Sequence, residues 1–129
     1  MKKPSTETDN PLTVLVLDDA ETWRNLVKSV LERELGIAPV VASSGEEALE
    51  ILHSRPIDVV VSDLNMPEMS GIQFMQRAKL VSPKTKVVIM TADLVTRILS
   101  EACMALGAFG VVFKGEIEPK LVKLLRELK

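Results

Sequence analysis

The chain has 129 residues, of which 47% are hydrophobic and 26% charged, which is typical of one folded domain rather than a disordered segment. Its net charge of -2 gives no indication of nucleic-acid binding, and no apolar run is long enough to span a bilayer. With one cysteine, Cys103, no internal disulfide can form, which fits a reducing compartment. Together, these features lead us to expect a cytoplasmic protein without nucleic-acid or membrane contacts.

The first eleven residues differ from the rest of the chain. They are polar, contain two prolines and lack the apolar core of a signal peptide. We therefore expect a flexible tail over residues 1–11, followed by a single domain over residues 12–129.

Short apolar runs then alternate with amphipathic stretches. The apolar runs predict five strands, at residues 13–17, 39–42, 57–62, 86–90 and 110–113. The amphipathic stretches predict five helices. The first covers residues 22–35, the second follows a capping box at 44–47, and the third runs from a second capping box at 70–73 to residue 81. The fourth runs from Asp93 or a neighbour to Leu106, and Pro119 opens the last helix.

This alternation predicts an α/β fold with a five-stranded parallel sheet and helices on both faces. One common solution is the flavodoxin-like strand order 2-1-3-4-5. In such sheets ligands bind beyond the carboxyl ends of the strands. The polar residues at those ends are therefore the candidates for function.

Five polar residues follow the predicted strands. Asp18 and Asp19 follow the first, Asp63 the third, Thr91 the fourth and Lys114 the fifth. Three clustered carboxylates repel one another, and Mg²⁺ is a natural counter-ion because it binds carboxylate oxygens while retaining water. Acids, a metal, a lysine and a hydroxyl together suit a phosphoryl group, with one carboxylate as the nucleophile.

Each residue alone has a simpler interpretation. Asp18 and Asp19 could belong to a turn or helix cap, Lys114 could be a solvated lysine, and Thr91 could cap a helix. Their joint placement at one sheet edge favours the phosphoryl site. The chain has no Gly-rich phosphate loop, so we expect a donor other than a nucleotide.

Four motifs carry a resemblance that covers residues 12–128. They are the acidic pair Asp18-Asp19, the segment from Ser62 through Asp63, Met66 and Pro67 to Gly71, the run Met90-Thr91-Ala92, and the stretch from Gly107 to Lys114. In this order and spacing the chain resembles the receiver domain of bacterial response regulators, and is similar to the chemotaxis regulators of that family.

The resemblance implies that Asp63 accepts a phosphoryl group from a histidine kinase or phosphotransfer protein. Asp19 and Asp63 would bind Mg²⁺, with the main-chain carbonyl of Asn65 as a third ligand and Asp18 acting mostly through water. Thr91 and Lys114 would contact phosphoryl oxygens.

The resemblance also implies a surface that reads out phosphorylation, formed by the fourth helix, fifth strand and fifth helix. The same face is a candidate for dimerisation. The sequence identifies neither the cognate kinase nor the output partner or output domain.

Two positions depart from the family pattern. Gly115 replaces the proline that usually follows the lysine in a cis peptide, so we expect a trans bond here, because a cis bond before a non-proline residue costs about 3 kcal/mol. Val111 stands where the family often has an aromatic switch residue, and Phe113 is a candidate substitute. These departures motivate an alternative function, a receiver-like interaction module that does not depend on phosphorylation.

An enzymatic alternative is a phosphatase or phosphotransferase similar to haloacid dehalogenases. Those enzymes carry a second acid two residues after the nucleophile, where this chain has Asn65. We therefore expect a phosphoacceptor with at most slow self-dephosphorylation rather than an enzyme.

Overall fold

The fold is taken from a computed structural model that describes residues 12–93 and 96–128. The tail predicted at residues 1–11 lies outside the described residues, so its flexibility stays a prediction. Within the described residues, no helix combines the length and apolar character needed to cross a membrane.

Strands and helices alternate along the chain. The strands are β1 (Val14–Leu17), β2 (Val40–Ala42), β3 (Val59–Asp63), β4 (Lys86–Thr91) and β5 (Gly110–Phe113). The helices are α1 (Glu21–Leu35), α2 (Gly45–Ser54), α3 (Gly71–Val81), α4 (Arg97–Ala105) and α5 (Val122–Arg126). A 3₁₀ turn at Lys114–Glu116 and a π-helical turn at Ile117–Leu121 join β5 to α5.

The five strands form one parallel sheet in the order β2-β1-β3-β4-β5. The predicted flavodoxin-like topology is thereby confirmed. The chain order reverses between β1 and β3, so the crevice expected for a ligand lies at their carboxyl ends.

Two apolar layers cover the sheet. Alternate residues of β1 point to opposite faces, so Val14 and Val16 join one cluster while Leu15 and Leu17 join the other. The first cluster packs against α1 and α5, and the second against α2, α3 and Cys103 of α4. All four β1 residues are buried, as expected for a strand covered on both faces.

Two strands extend one residue further than the sequence predicted. Asp63 is the last residue of β3 and Thr91 the last of β4, rather than the first residues beyond those strands. Sheet pairing continues through both residues because their backbones match Met90 of β4 and Phe113 of β5. Their side chains are therefore held by the sheet itself.

Two helix starts differ from the prediction. The cap of α4, predicted at Asp93 or a neighbour, is Thr96, whose hydroxyl accepts a hydrogen bond from Leu99 N–H at 3.1 Å. The last helical segment begins at Lys114, directly after β5, and Pro119 lies inside it rather than at its start. Pro119 is tolerated there because it is the third residue of the π-helical turn, where a main-chain N–H would have no acceptor within that turn.

The two predicted capping boxes differ in completeness. At α3, Ser70 and Gln73 exchange both expected hydrogen bonds, at 3.0 and 3.1 Å. At α2, Ser44 accepts from Glu47 N–H, but the Glu47 carboxylate accepts from Ser43 N–H instead of Ser44 N–H. The box at α2 is therefore only half formed.

Candidate functional site

The site lies at the carboxyl edge of the sheet, around the ends of β1, β3, β4 and β5. Pairing between strands places Asp63 opposite Met90, and Thr91 opposite Phe113. Lys114 follows Phe113 directly, and Asp18 follows the end of β1. The parallel register thus brings residues from distant parts of the chain to one edge.

Asp18 is held rigidly by its own turn. Its Oδ1 accepts a hydrogen bond from Ala20 N–H at 2.9 Å, and its main-chain carbonyl accepts one from Arg24 Nη1 at 2.8 Å. The Asp18 N–H donates to the Ala42 carbonyl at 3.2 Å, which ties the residue to β2. These bonds leave Asp18 Oδ2 free to face the site.

The acidic cluster consists of Asp18, Asp19 and Asp63. One carboxylate oxygen from each lies within 4.8 Å of the other two. The Lys114 ammonium joins two of them, with Nζ 2.7 Å from Asp18 Oδ2 and 3.2 Å from Asp63 Oδ1. Three carboxylates and one ammonium leave the acidic cluster with an excess of negative charge.

Burial makes this excess costly. Asp18 is 0% exposed, Asp63 6% and Lys114 7%, whereas Asp19 is exposed at the rim. The pKa of Asp63 is raised, first by burial and next by the charge of Asp18, while Lys114 opposes the rise. An unpaired Asp63 carboxylate is therefore unfavourable here, and either protonation of Asp63 or a cation bound beside it relieves the cost.

The Thr91 side chain is fully buried at the end of β4, the strand that pairs with β3. Its Oγ1 accepts a hydrogen bond from Asp93 N–H at 3.0 Å, which leaves the hydroxyl proton available for another acceptor. The structure thus places Thr91 at the expected edge, with a spare donor.

Asn65 lies exposed in the loop after β3, two residues beyond Asp63. This position is on the same edge as the acidic cluster. Its main-chain carbonyl as a ligand stays a prediction.

Gly71 explains how the loop after Asp63 closes. A Cβ atom at this position would lie 2.3 Å from the Asp63 carbonyl oxygen and 3.0 Å from Leu64 Cα. Only glycine lets the start of α3 approach the main chain so closely, and the Gly71 N–H donates to the Leu64 carbonyl at 2.8 Å. The first turn of α3 is thereby packed against the main chain that carries Asp63.

The loop after Lys114 differs from the family pattern, as expected. The described residues contain no cis peptide bond, so the predicted trans bond before Gly115 is confirmed. The Phe113 ring lies over Gly115, where an added Cβ would be 2.4 Å from Phe113 Cε2. Val111 is partly buried against the apolar cluster that contains Cys103 of α4, and Phe113 is the aromatic residue of β5 that adjoins Lys114.

Trp23 is a site residue whose contact the sequence did not reveal. Its ring centroid lies 4.8 Å from Lys114 Nζ. Trp23 lies four residues after Asp19 in the sequence, but no local pattern indicates a partner that follows β5.

The acidic cluster fits a hard divalent cation. Asp18 Oδ2 is buried and accepts no hydrogen bond among the described residues, although the Lys114 charge lies beside it. Carboxylate oxygens from three residues, with one carboxylate exposed to solvent, suit Mg²⁺, which keeps part of its water shell. The donor set contains no sulfur or imidazole ligand, which argues against zinc.

Comparison with known proteins gives matches over nearly the whole chain. The family described as response regulator receiver domain matches residues 14–126. The chain is 36% identical over 107 residues to a probable chemotaxis protein CheY of Rhizobium etli, covering 80% of this chain and 81% of that protein. It is 34% identical over 110 residues to protein CcdB of Bacillus subtilis, covering 85% and 91%.

Other relatives are much longer than this chain. The chain spans only 9% of the autoinducer 1 sensor kinase/phosphatase LuxN of Vibrio harveyi, to which it is 37% identical over 81 residues. It spans 32% of a protein-glutamate methylesterase/protein-glutamine glutaminase of Rhodospirillum rubrum, at 33% identity over 117 residues. These matches concern one part of each longer protein.

Solved structures agree with the sequence comparison. A response regulator receiver domain protein from Clostridium thermocellum superposes with a TM-score of 0.79 at 30% identity, covering 90% of this chain and 92% of that one. The receiver domain of the Francisella response regulator 1452 gives a TM-score of 0.77 at 28% identity, covering 93% and 100%. With this fold, this acidic edge and these matches, the chain belongs to the response regulator receiver domains of two-component signalling.

Proposed function

We propose that this receiver domain accepts a phosphoryl group on Asp63 from a histidine kinase or phosphotransfer protein, and thereby changes its affinity for a partner. The observation that carries the proposal is the acidic cluster paired with the Lys114 ammonium. A buried carboxylate lowers the stability of the folded protein. One that lies beside two further acids and a lysine is, however, suited to phosphoryl transfer.

The transfer itself involves two bonds. A carboxylate oxygen of Asp63 attacks the phosphorus of a phosphohistidine, so a P–O bond forms while the N–P bond breaks and the imidazole leaves with the electron pair. The Lys114 ammonium is close enough to pair with an oxygen of the transferred phosphoryl group, because its Nζ already lies 3.2 Å from Asp63 Oδ1. The Thr91 hydroxyl can donate its proton to a second phosphoryl oxygen.

Asp19 and Asp63, with the main-chain carbonyl of Asn65, are the proposed Mg²⁺ ligands, and Asp18 is proposed to act mostly through water. When bound, Mg²⁺ neutralises charge that develops on the phosphoryl oxygens. Asp18 is fixed by Ala20 N–H and Arg24, so it can orient solvent without moving itself.

The proposed readout surface comprises α4, β5 and α5. A groove of about 320 Å³ runs between these elements, and it contains the apolar side chains of Met104, Val111 and Leu124 beside Lys120 and Lys123. A new charge of about -2 on Asp63 would draw Thr91 and Lys114 inward, and these residues adjoin β5 and the loop before α4. An output partner, or a second copy of this chain, is proposed to bind there.

The alternative, an interaction module independent of phosphorylation, is motivated by Gly115 and Val111. These residues alter the surface beside the site, whereas the acidic cluster is paired with Lys114 and Thr91 lies buried at the end of β4. The intact cluster favours the phosphoacceptor. A phosphatase acting on free phosphomonoesters is disfavoured because Asn65 offers no acid.

The acceptor role is tested with acetyl phosphate and Mg²⁺, followed by intact-mass measurement. We expect the unmodified chain to gain one phosphoryl group and Asp63→Asn to gain none, a loss of at least about 100-fold in yield. Asp58→Asn is the matched control, because Asp58 is exposed at the opposite end of β3. Equal phosphorylation of the Asp63 and Asp58 variants would remove Asp63 from the acceptor role.

A further inference from the structure

The Lys114 ammonium has three close partners among residues 12–93 and 96–128. Two are the carboxylates of Asp18 and Asp63, and the third is the Trp23 ring at 4.8 Å from Nζ. This distance is within the range in which an aromatic face attracts a cation, and indole is the strongest of the aromatic side chains. Because Lys114 is only 7% exposed, water screens the contact weakly.

Trp23 is fixed by the same turn that fixes Asp18. It lies in the first turn of α1, and its main-chain N–H donates to the Ala20 carbonyl at 3.1 Å. Its half-buried ring packs against the apolar cluster between the sheet and α1. Trp23 is therefore a rigid surface next to a flexible lysine side chain.

Lys114 lacks a comparable support from its own loop. Its main chain begins a 3₁₀ turn, but the close contacts of the ammonium are all with residues outside that turn, so these side-chain contacts determine where it lies. Two of those contacts are with carboxylates that the proposed function assigns to a divalent cation or to the phosphoryl group. Once the charges of Asp18 and Asp63 are engaged by such partners, the Trp23 ring is the contact that Lys114 keeps.

We infer that Trp23 is a positioning residue that retains the Lys114 ammonium in the site when the carboxylates of Asp18 and Asp63 are engaged by a divalent cation. The ring attracts the ammonium without competing for a metal ligand or a phosphoryl oxygen. This inference rests on the proposed function and assigns a specific role to one of its residues.

The test measures uptake of beryllofluoride, a phosphoryl mimic, by ¹⁹F NMR in the presence of Mg²⁺. We expect Trp23→Leu to weaken beryllofluoride binding by about tenfold, because the leucine has no aromatic face. Trp23→Phe should restore most of the affinity. Mg²⁺ binding alone, followed by calorimetry, should change by less than about twofold, because Trp23 provides no oxygen ligand.

A double-mutant cycle with Lys114→Met separates positioning from a structural role. In the Lys114→Met background, Trp23→Leu should have no further effect on beryllofluoride uptake. An equal tenfold loss in both backgrounds would overturn the inference while leaving the proposed function intact. Failure of the unmodified chain to take up beryllofluoride would instead overturn the proposed function, and the inference with it.

Fluorescence provides a second measurement that needs no Trp23 variant. Trp23 is the only tryptophan in the chain, so the emission comes from this side chain alone. We expect Lys114→Met to change the intensity or wavelength of that emission in a folded sample. Identical emission from both proteins would contradict the contact.

Discussion

At the scale of single residues, Asp63 shows a cost that the site imposes on the fold. Burial and the neighbouring Asp18 raise its pKa above the ordinary aspartate value, despite the attraction of Lys114. A carboxyl group whose pKa is higher in the folded state stabilises the fold only where it is protonated. That contribution is present at low pH and is lost as the pH rises through the raised pKa.

Asp63→Asn is therefore expected to stabilise the metal-free protein at pH 7, raising the melting temperature by about 3 °C. The difference from the unmodified chain should shrink below about pH 4, where both side chains are neutral. Thermal unfolding in a chelating buffer, followed by circular dichroism at several pH values, measures it. A lower melting temperature for Asp63→Asn at pH 7 would show that the pairing with Lys114 outweighs the burial cost.

Much of the site was predictable at this scale, and the reason is geometric. Parallel strands end at one edge, so Asp18, Asp63 and Lys114 could be grouped from strand positions alone. The contact between Trp23 and Lys114 could not, because it depends on how α1 is oriented against the end of β5. No local pattern encodes that orientation.

At the scale of elements, the first turn of α3 is joined to the site through Gly71. An added methyl group there meets main-chain atoms of Asp63 and Leu64, which cannot move aside as a side chain can. The position of α3 and the position of Asp63 are therefore linked by direct contact.

Gly71→Ala should destabilise the protein by about 2 kcal/mol, because the start of α3 must shift away from β3. It should also weaken Mg²⁺ binding by moving Asp63. The matched control is Gly45→Ala at the start of α2, where the added methyl meets the flexible side chain of Met69. Urea unfolding and calorimetry measure both effects, and equal losses for the two variants would contradict the link.

Element boundaries were less predictable than element order. Asp93 and Thr96 are both good helix caps, and the choice between them depends on how far the chain must travel from β4 before α4 can pack on the sheet. The early helical turns at Lys114 have a similar origin, because the chain must place Lys114 beside Asp18 and then turn immediately. Both outcomes are set by tertiary contacts rather than by local sequence.

At the scale of the whole molecule, binding at the acidic edge is coupled to folding. A cation that binds only the folded chain raises its stability by mass action. At a Mg²⁺ concentration about ten times the dissociation constant, the gain is about 1.4 kcal/mol, or roughly 3–6 °C in melting temperature.

Scanning calorimetry with Mg²⁺ and with a chelator tests this coupling. We expect the increase in melting temperature to be largely lost in Asp19→Asn, because this exposed carboxylate is a proposed ligand and its replacement leaves the core unchanged. Sodium chloride of equal ionic strength is the control for screening. An equal increase with sodium would exclude a specific cation site.

The Lys114 ammonium between the two buried acids also affects whether the protein can fold without a bound metal ion. In proteins whose fold is assembled around a metal, an apo chain is an unfolded chain. Here the chain supplies an internal counter-ion at Lys114, in addition to two apolar layers that need no ligand. We therefore expect cells short of magnesium to contain the normal amount of folded receiver, with only its readiness to react reduced.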